Sequence, residues 1–262
     1  MVLRWDSANG EIIDFSDKSK YLLEDWQGYG YHPNDIKTVK SPYQIGNTLI
    51  GQIINPRDIE IDFTIITDNK DHLYSLKRAV IKAFNPLNGS GKLTYINTDN
   101  KYKITAVSKN SPSFQKDNKT NQKIKLKLHA PDPRWYNPDE INIPIKQSNE
   151  IINKGDTFTA IKLTLNGPMS NPAILNMTTG EKIQLNHTIS SDEKIVVNTK
   201  FGDKSIHLYD SYNRKRNSFS ILSFDSRLFG LQSGSNLIEF RASNMNEQSK
   251  INISYKERYL GI

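Results

Sequence analysis

Along most of the chain apolar and polar residues alternate, and one stretch departs from that rhythm. From Arg57 to Thr67, Ile59, Ile61 and Phe63 alternate with Asp58, Glu60 and Asp62. That is the period of a half-buried strand, with one set of side chains inward and the other in solvent. Lys123 to His129 repeats the pattern, with Ile124, Leu126 and Leu128 inward and the lysines outward. Ile36 to Lys40 and Thr48 to Ile54 are rich in β-branched residues and separated by Asn, Pro and Gly, which is strand and turn chemistry. Between Asp71 and Phe84 the period changes: Leu73, Leu76, Ala79, Val80, Ala83 and Phe84 recur every three or four residues. This predicts an amphipathic helix that Asn69 or Asp71 caps and Pro86 ends. Gly89-Ser-Gly91 then leads into a strand at Lys92 to Asn97, with Tyr102 to Ser108 as its hairpin partner, and a longer pair ending in Lys123 to Ala130 closes the half.

Pro131-Asp-Pro133-Arg-Trp135-Tyr-Asn-Pro138 disfavours helix and sheet alike, so the domain junction is placed there, giving domains 1–138 and 139–262. Beyond it short strands follow at Phe158 to Leu165, Ala173 to Asn176, Lys182 to Leu185, Lys194 to Asn198, Ser205 to Tyr209, Leu237 to Ala242 and Ile251 to Tyr255. Closely spaced short strands with turn residues between them predict an antiparallel sandwich. The final Tyr255 to Ile262 is open to two readings, finishing the second domain or returning to the first. The expected fold class is mainly β, with one α-helix in the first domain.

Composition narrows the function classes. The chain has 262 residues, 36% of them hydrophobic, and no cysteine, which removes disulfides, thiolate catalysis and cysteine-ligated zinc. Charges in Met1-Val-Leu-Arg-Trp-Asp6 occupy the place of a signal peptide's apolar run, and no stretch approaches the ~18 apolar residues of a membrane span, so a cytosolic product is expected. The net charge of +7 raises the question of nucleic acid. Most lysines belong to alternating strand faces, and the one compact cluster, Arg214-Lys215-Arg216, reads as a loop tip. Its readings, in order, are a solubilising tip, a contact with acidic envelope polymers or a partner protein, and a DNA site. Neither a recognition helix nor an aromatic stacking platform is apparent, so no sequence-specific nucleic acid is expected.

Enzyme motifs fail on inspection. Gly89-Ser-Gly91-Lys92 has Pro86 where a phosphate-binding loop needs its first glycine, Leu93 where it needs Ser or Thr, and a strand where a helix should follow. Gly28-Tyr-Gly30 lacks the third glycine of a dinucleotide fingerprint, which falls at Pro33. His32, His72, His129, His187 and His207 are scattered, with no pair at metal-ligand spacing. Asp192 or Glu193 could pair with Asp203 or Asp210 for glycoside cleavage, yet nothing singles them out. No catalytic, cofactor-binding or metal-binding residue is assigned, and no cofactor is expected.

Several phrases, taken in order, resemble the distal tail proteins of long-tailed phages. In the first half they are strand Arg57 to Thr67, helix Leu73 to Phe84, Phe84-Asn-Pro-Leu-Asn-Gly-Ser-Gly-Lys-Leu-Thr-Tyr95 and Pro131-Asp-Pro-Arg-Trp135. In the second they are Asn171-Pro, Thr178-Thr-Gly180-Glu, Leu228-Phe-Gly-Leu-Gln-Ser-Gly234-Ser-Asn236 and the closing Arg258-Tyr-Leu-Gly-Ile262. Ser233 stands where relatives commonly carry proline. The resemblance implies a structural, non-enzymatic role: a hexameric ring at the virion tail tip, joining the tail tube protein to the tail-tip hub with its tail-associated lysin and, in many phages, to receptor-binding proteins. It implies a ring-forming first domain, β-sandwich or barrel-like, and a galectin-like second one. It involves no membrane partner.

Two readings hang on that resemblance. Asp58, Glu60 and Asp62 would line one strand face, and in a ring that passes DNA an acidic lumen would discourage phosphate from sticking; the plainer reading is a solvated face balanced by neighbouring lysines. The alternative function is a carbohydrate-binding module contacting host cell-wall polysaccharide. Trp5, Trp26 and Trp135 all precede or occupy the junction, so Tyr209, Tyr212 and Phe219 would have to supply its aromatic face.

Overall fold

A computed structural model of the chain describes residues 2–30, 34–115 and 120–262. It divides into two compact units, Met1–Pro138 together with Tyr259–Ile262, and Asp139–Arg258. The strands of the first unit are β1 (Val2–Asp6), β2 (Ile12–Asp14), β3 (Tyr21–Gln27), β4 (Asn34–Val39), β5 (Thr48–Ile54), β6 (Arg57–Ile66), β7 (Gly91–Ile96), β8 (Lys101–Ser108), β9 (Ser113–Phe114), β10 (Asn121–Ala130) and β11 (Trp135–Tyr136), with helix α1 at Lys70–Ala83. Seven of them form an antiparallel path β2-β1-β7-β8-β10-β6-β3, while β4 and β5 pair only with each other.

The alternation in β6 and β10 decides which face of this sheet is dry. Ile59, Ile61, Phe63 and Ile65 of β6 and Ile124, Leu126 and Leu128 of β10 are buried in one core with Leu73, Leu76, Val80 and Ala83 of α1. Each of the larger of these side chains removed from water contributes roughly 1.5–3 kcal/mol. Of the two candidate helix caps, Asn69 is the one used: its side chain accepts a hydrogen bond from the His72 N–H at 2.8 Å, and Asp71 lies inside the first turn. The helix ends at Phe84. Trp5 stacks on that ring at 5.3 Å and donates its indole N–H to the Ala83 carbonyl at 3.0 Å.

Arg57, fully buried at the start of β6, donates to the carbonyls of Pro133 (2.9 Å), Gly28 and Leu260. One guanidinium thereby ties together the end of β3, the proline-rich passage and the chain's last residues. Its desolvation lowers its pKa. Gly28 has φ of +89° and packs its Cα against the Asp58 carbonyl, a place with no room for a side chain.

In the second unit the strands are β12 (Ile141–Ile145), β13 (Ser148–Asn153), β14 (Thr159–Asn166), β15 (Met169–Asn176), β16 (Glu181–Gln184), β17 (Thr188–Ile189), β18 (Lys194–Asn198), β19 (Ser205–Tyr209), β20 (Lys215–Asn217), β21 (Gly230–Leu231), β22 (Gly234–Ser243) and β23 (Lys250–Tyr255). One antiparallel sheet runs β12-β23-β14-β18-β19-β20 and the other β13-β22-β15-β16. Ile161, Leu163, Ile195, Val197 and Ile253 of the first sheet share one core with Ile151, Ile174, Ile183, Ile238 and Phe240 of the second, which makes a sandwich.

Several details differ from the sequence expectations. β1, β2 and β3 precede the first expected strand at Ile36, and the proline-rich passage, expected to exclude sheet, holds the two-residue strand β11 between Pro133 and Pro138, where Tyr136 pairs with Lys103 of β8. β12 and β13 follow the junction directly, and β12 contains Pro144, which argues against a strand by composition. It is tolerated because β12 is an edge that pairs with β23 alone. β15 begins at Met169 rather than Ala173: a bulge opposite β22 between Ser170 and Ala173 absorbs Pro172, and Asn171 takes a φ of 49°. The basic cluster at Arg214 to Arg216 is more than a loop tip, since Lys215 and Arg216 begin edge strand β20.

Candidate assembly interface

The acidic set on β6 does share a face, and the ladder determines what stands opposite it. In the antiparallel register His129 faces Asp58, Lys127 faces Glu60 and Lys125 faces Asp62. Lys127 Nζ lies 2.5 Å from Glu60, Lys125 Nζ 2.8 Å from Asp62, and Lys109 Nζ 2.6 Å from Asp58, which His129 Nδ1 also meets at 2.7 Å. Lys123 pairs with Glu24 on β3. The carboxylates are therefore one half of a cross-strand charge ladder, and the face is balanced rather than acidic. Burial pushes the Asp58 carboxyl up, but the hydrogen bonds and charges of Lys109 and His129 outweigh it and leave the pKa lowered. Hydrogen bonds from Lys123 and Thr64 hold Glu24 low, and those to Asp62 and Glu60 raise Lys125 and Lys127.

The β4–β5 hairpin is different in kind. Every residue of β4 is exposed, as is every residue of β5 except the half-buried Gly51. Ile36, Leu49, Ile50, Ile53 and Ile54 are between 46% and 66% exposed, and Tyr43 and Ile45 at its tip are wholly so. An isolated two-stranded sheet is marginally stable at best, and exposed apolar patches mark interaction surfaces in general.

The remaining sequence candidates do not converge. Gly89 to Lys92 is a turn: a 3-10 segment at Pro86–Asn88 precedes it and β7 follows. Among the described histidines, His72 is on α1 against Thr67, His129 on β10, His187 in the turn before β17 and His207 on β19. His32 and Pro33 lie outside the described residues. Among the described residues no group of three or more His, Cys, Asp or Glu is placed to hold a metal, and no helix is long and apolar enough to cross a membrane. Glu193 accepts from the Ser190 N–H, Asp203 from Asn198, and Asp210 from Tyr212 and Arg214, so each closes its own turn. Tyr209 is half-buried beneath Lys194 Nζ at 4.9 Å, Tyr212 lies under Arg214 at 5.1 Å, and Phe219 is 44% exposed on a 3-10 turn.

One cluster escaped sequence reasoning. Asn153, Asn176 and Asn236 are buried, and their side chains join three loops at one end of the sandwich. Asn236 accepts from the Gln232 N–H at 3.0 Å and donates to the carbonyls of Gln232 and Gly234 at 2.9 and 3.0 Å, closing the turn in which Gly234 takes a φ of +86°. Asn153 donates to Thr157 and Gln232 carbonyls and accepts from Gly155. Asn176 accepts from the Thr178 and Thr179 N–H groups. An asparagine at the end of an apolar run, beside a glycine turn, was the available signal.

The family model for a phage tail protein RIFT-related domain matches residues 8–130, and that for the C-terminal domain of the siphovirus-type tail component matches residues 154–259. The chain belongs to the distal tail protein family of siphophages. The crystal structure of the Dit protein of phage SPP1 covers 99% of this distal tail protein and is itself covered completely, with a TM-score of 0.75 at 12% identity. Structures of the phage P2 baseplate in its activated conformation, with Ca and with Sr, match all of the chain and 99% of theirs at TM-scores of 0.56, with 10% and 11% identity. No curated protein matches by sequence. As a distal tail protein, the chain is a structural component of a multi-protein tail or baseplate assembly at the virion tail tip.

Proposed function

We propose that six copies of the chain close into a ring at the distal end of the tail tube, linking the tube protein to the tail-tip hub, its tail-associated lysin and the host-adsorption apparatus, without catalysis. The observation that carries this is the β4–β5 hairpin, whose apolar side chains are in water on both faces. A ring needs heterologous contacts, in which one patch of each copy meets a different patch of the next. A projecting hairpin with an unpaired strand on each side and apolar residues along its length suits that task. The charge-balanced β6–β10 face suits a wall that neither holds nor repels a passing polyanion strongly.

The test is sedimentation velocity and negative-stain electron microscopy of the purified chain at micromolar concentration, alone and mixed with tube and hub proteins. Sixfold rings in either condition support the reading. Monomers or dimers in both conditions overturn it.

A further inference from the structure

The two sheets of the second unit differ in charge, one mixed and the other free of carboxylates. The strands of the β13-β22-β15-β16 sheet carry Glu150, Glu239, Glu181, Arg241 and Lys182, with Arg241 paired to Glu239 at 2.9 Å and Lys182 paired to Asp225. None of the six strands β12, β23, β14, β18, β19 and β20 contains an aspartate or glutamate. Their inward positions are the apolar core, so their outward positions form a broad face of amides, hydroxyls and ammonium groups. Among the described residues no carboxylate forms an ion pair with Lys162, Lys194, Lys215 or Lys250. The acids of the adjoining turns lie outside the strands, and three of them are engaged there: Glu193 accepts from the Ser190 N–H, Asp203 from Asn198, and Asp210 pairs with Arg214.

The register gives this face a repeat. Following Cα partners across the strands, one outward row runs Lys250, Asn166, Lys194, Tyr209, Lys215. Adjacent strands are about 4.8 Å apart, so a lysine recurs on every second strand, about 9–10 Å from the last, with an amide or a phenol between. Two residues further along the strands the row through Thr164 and Val196 ends at His207 and Asn217, and two further still lies Lys162, flanked by Ser254 and Asn198.

We propose that this outward face is a docking surface for a phosphodiester-linked polyol polymer. Such a chain carries one negative charge per repeat, separated by hydroxylated carbons. Lysines spaced across alternate strands match the charges, and Asn166 and Tyr209 between them offer donors and acceptors to the hydroxyls. Nucleic acid fits less well. Binding of single strands draws on free aromatic faces for stacking, and the Tyr209 ring is covered by Lys194 Nζ at 4.9 Å. An acidic protein surface would find the charge but leave the intervening amides without hydroxyl partners.

The experiment uses the full chain and purified poly(glycerol phosphate) as probe, by titration calorimetry at low and physiological salt, with neutral dextran, a single-stranded DNA oligomer and poly-aspartate as comparators. The expected result is binding to poly(glycerol phosphate) in preference to all three. The variant Lys162→Glu/Lys194→Glu/Lys250→Glu is expected to bind at least about tenfold more weakly, because each reversal replaces an attraction with a repulsion. A control with the same change of net charge on the first unit, Lys18→Glu/Lys70→Glu/Lys101→Glu, is expected to bind as the parent does. If the reversal destabilises the sandwich, as circular dichroism would show, Lys162→Gln/Lys194→Gln/Lys250→Gln takes its place, with a smaller loss expected. Equal binding by the parent and the folded strand-face variant overturns the proposal. Binding of DNA or poly-aspartate as tight as that of the polyol polymer also overturns it, as a general attraction to polyanions, and so does absence of binding to poly(glycerol phosphate).

Discussion

The side chain of Asn176 donates to Oδ1 of Asn236 at 3.4 Å, both residues being fully buried and 60 residues apart in the chain. Each also organises its own turn, Asn176 the one at Thr178 and Thr179, Asn236 the one at Gln232 and Gly234. Since β15 and β22 are paired neighbours, this contact is where two loops of the sandwich are held in register with the sheet.

Replacing Asn236 with alanine leaves the Gln232 N–H and two carbonyls without their partner inside the sandwich. The expected cost is about 2–3 kcal/mol. Urea denaturation should show a lowered midpoint with an unchanged slope for the second unit's transition. Asn236→Asp should do no better, since a carboxylate cannot donate to the Gln232 and Gly234 carbonyls.

Arg57 serves three carbonyls from a fully buried position. Arg57→Ala should destabilise the first unit by about 3 kcal/mol, as three buried acceptors lose a charged donor. Arg57→Lys should recover little of this, because a single ammonium cannot reproduce the planar fork. Thermal melts of the two variants compared with the parent check both statements, and proteolysis near Leu260 should quicken in each.

Acid should release the ladder before it reaches the core. Asp58 and Glu24 have folded-state pKa values below their ordinary 3.8 and 4.5, so the stability they contribute is present above those values and is lost as pH falls through the lowered ones. Lys125 and Lys127 lie above their ordinary 10.5, so their contribution is present below it and is lost as pH rises past it. Asp58→Asn should therefore be slightly less stable than the parent near pH ~7, by well under ~1 kcal/mol at this exposed site, with the gap closing as pH falls through the lowered pKa of Asp58. Denaturation midpoints at stepped pH values measure that convergence.

The hairpin should be dispensable for folding and necessary for assembly. Ile36→Ser/Leu49→Ser/Ile54→Ser changes side chains that are each more than 45% exposed, so the loss of stability in the isolated chain should stay within about 1 kcal/mol. Sedimentation of this variant should show the loss of any ring the parent forms, with its circular dichroism spectrum intact.

The elements with the strongest periodicity were the legible ones. Two-residue alternation in Arg57 to Thr67 and Lys123 to Ala130, and the three- and four-residue spacing after Asn69, each report a buried face directly. Pairing was not legible, because whether lysines or solvent face Asp58, Glu60 and Asp62 depends on β10 lying beside β6 across more than fifty residues of chain. Composition also hid β12, whose Pro144 is harmless on an edge, and the start of β15, where a bulge accommodates Pro172. The carboxylate-free sheet face was equally hidden. No one strand looks unusual, and the pattern emerges only when six strands from the second unit are laid side by side.

All three tryptophans, Trp5, Trp26 and Trp135, belong to the first unit. Trp5 and Trp135 are buried there, with Trp26 set edge-on to Trp135 at 6.3 Å. Indole emission will therefore follow the melting of that unit alone, while backbone ellipticity follows both. The chain carries its own spectroscopic label, by which the order in which its halves unfold can be read without adding a dye.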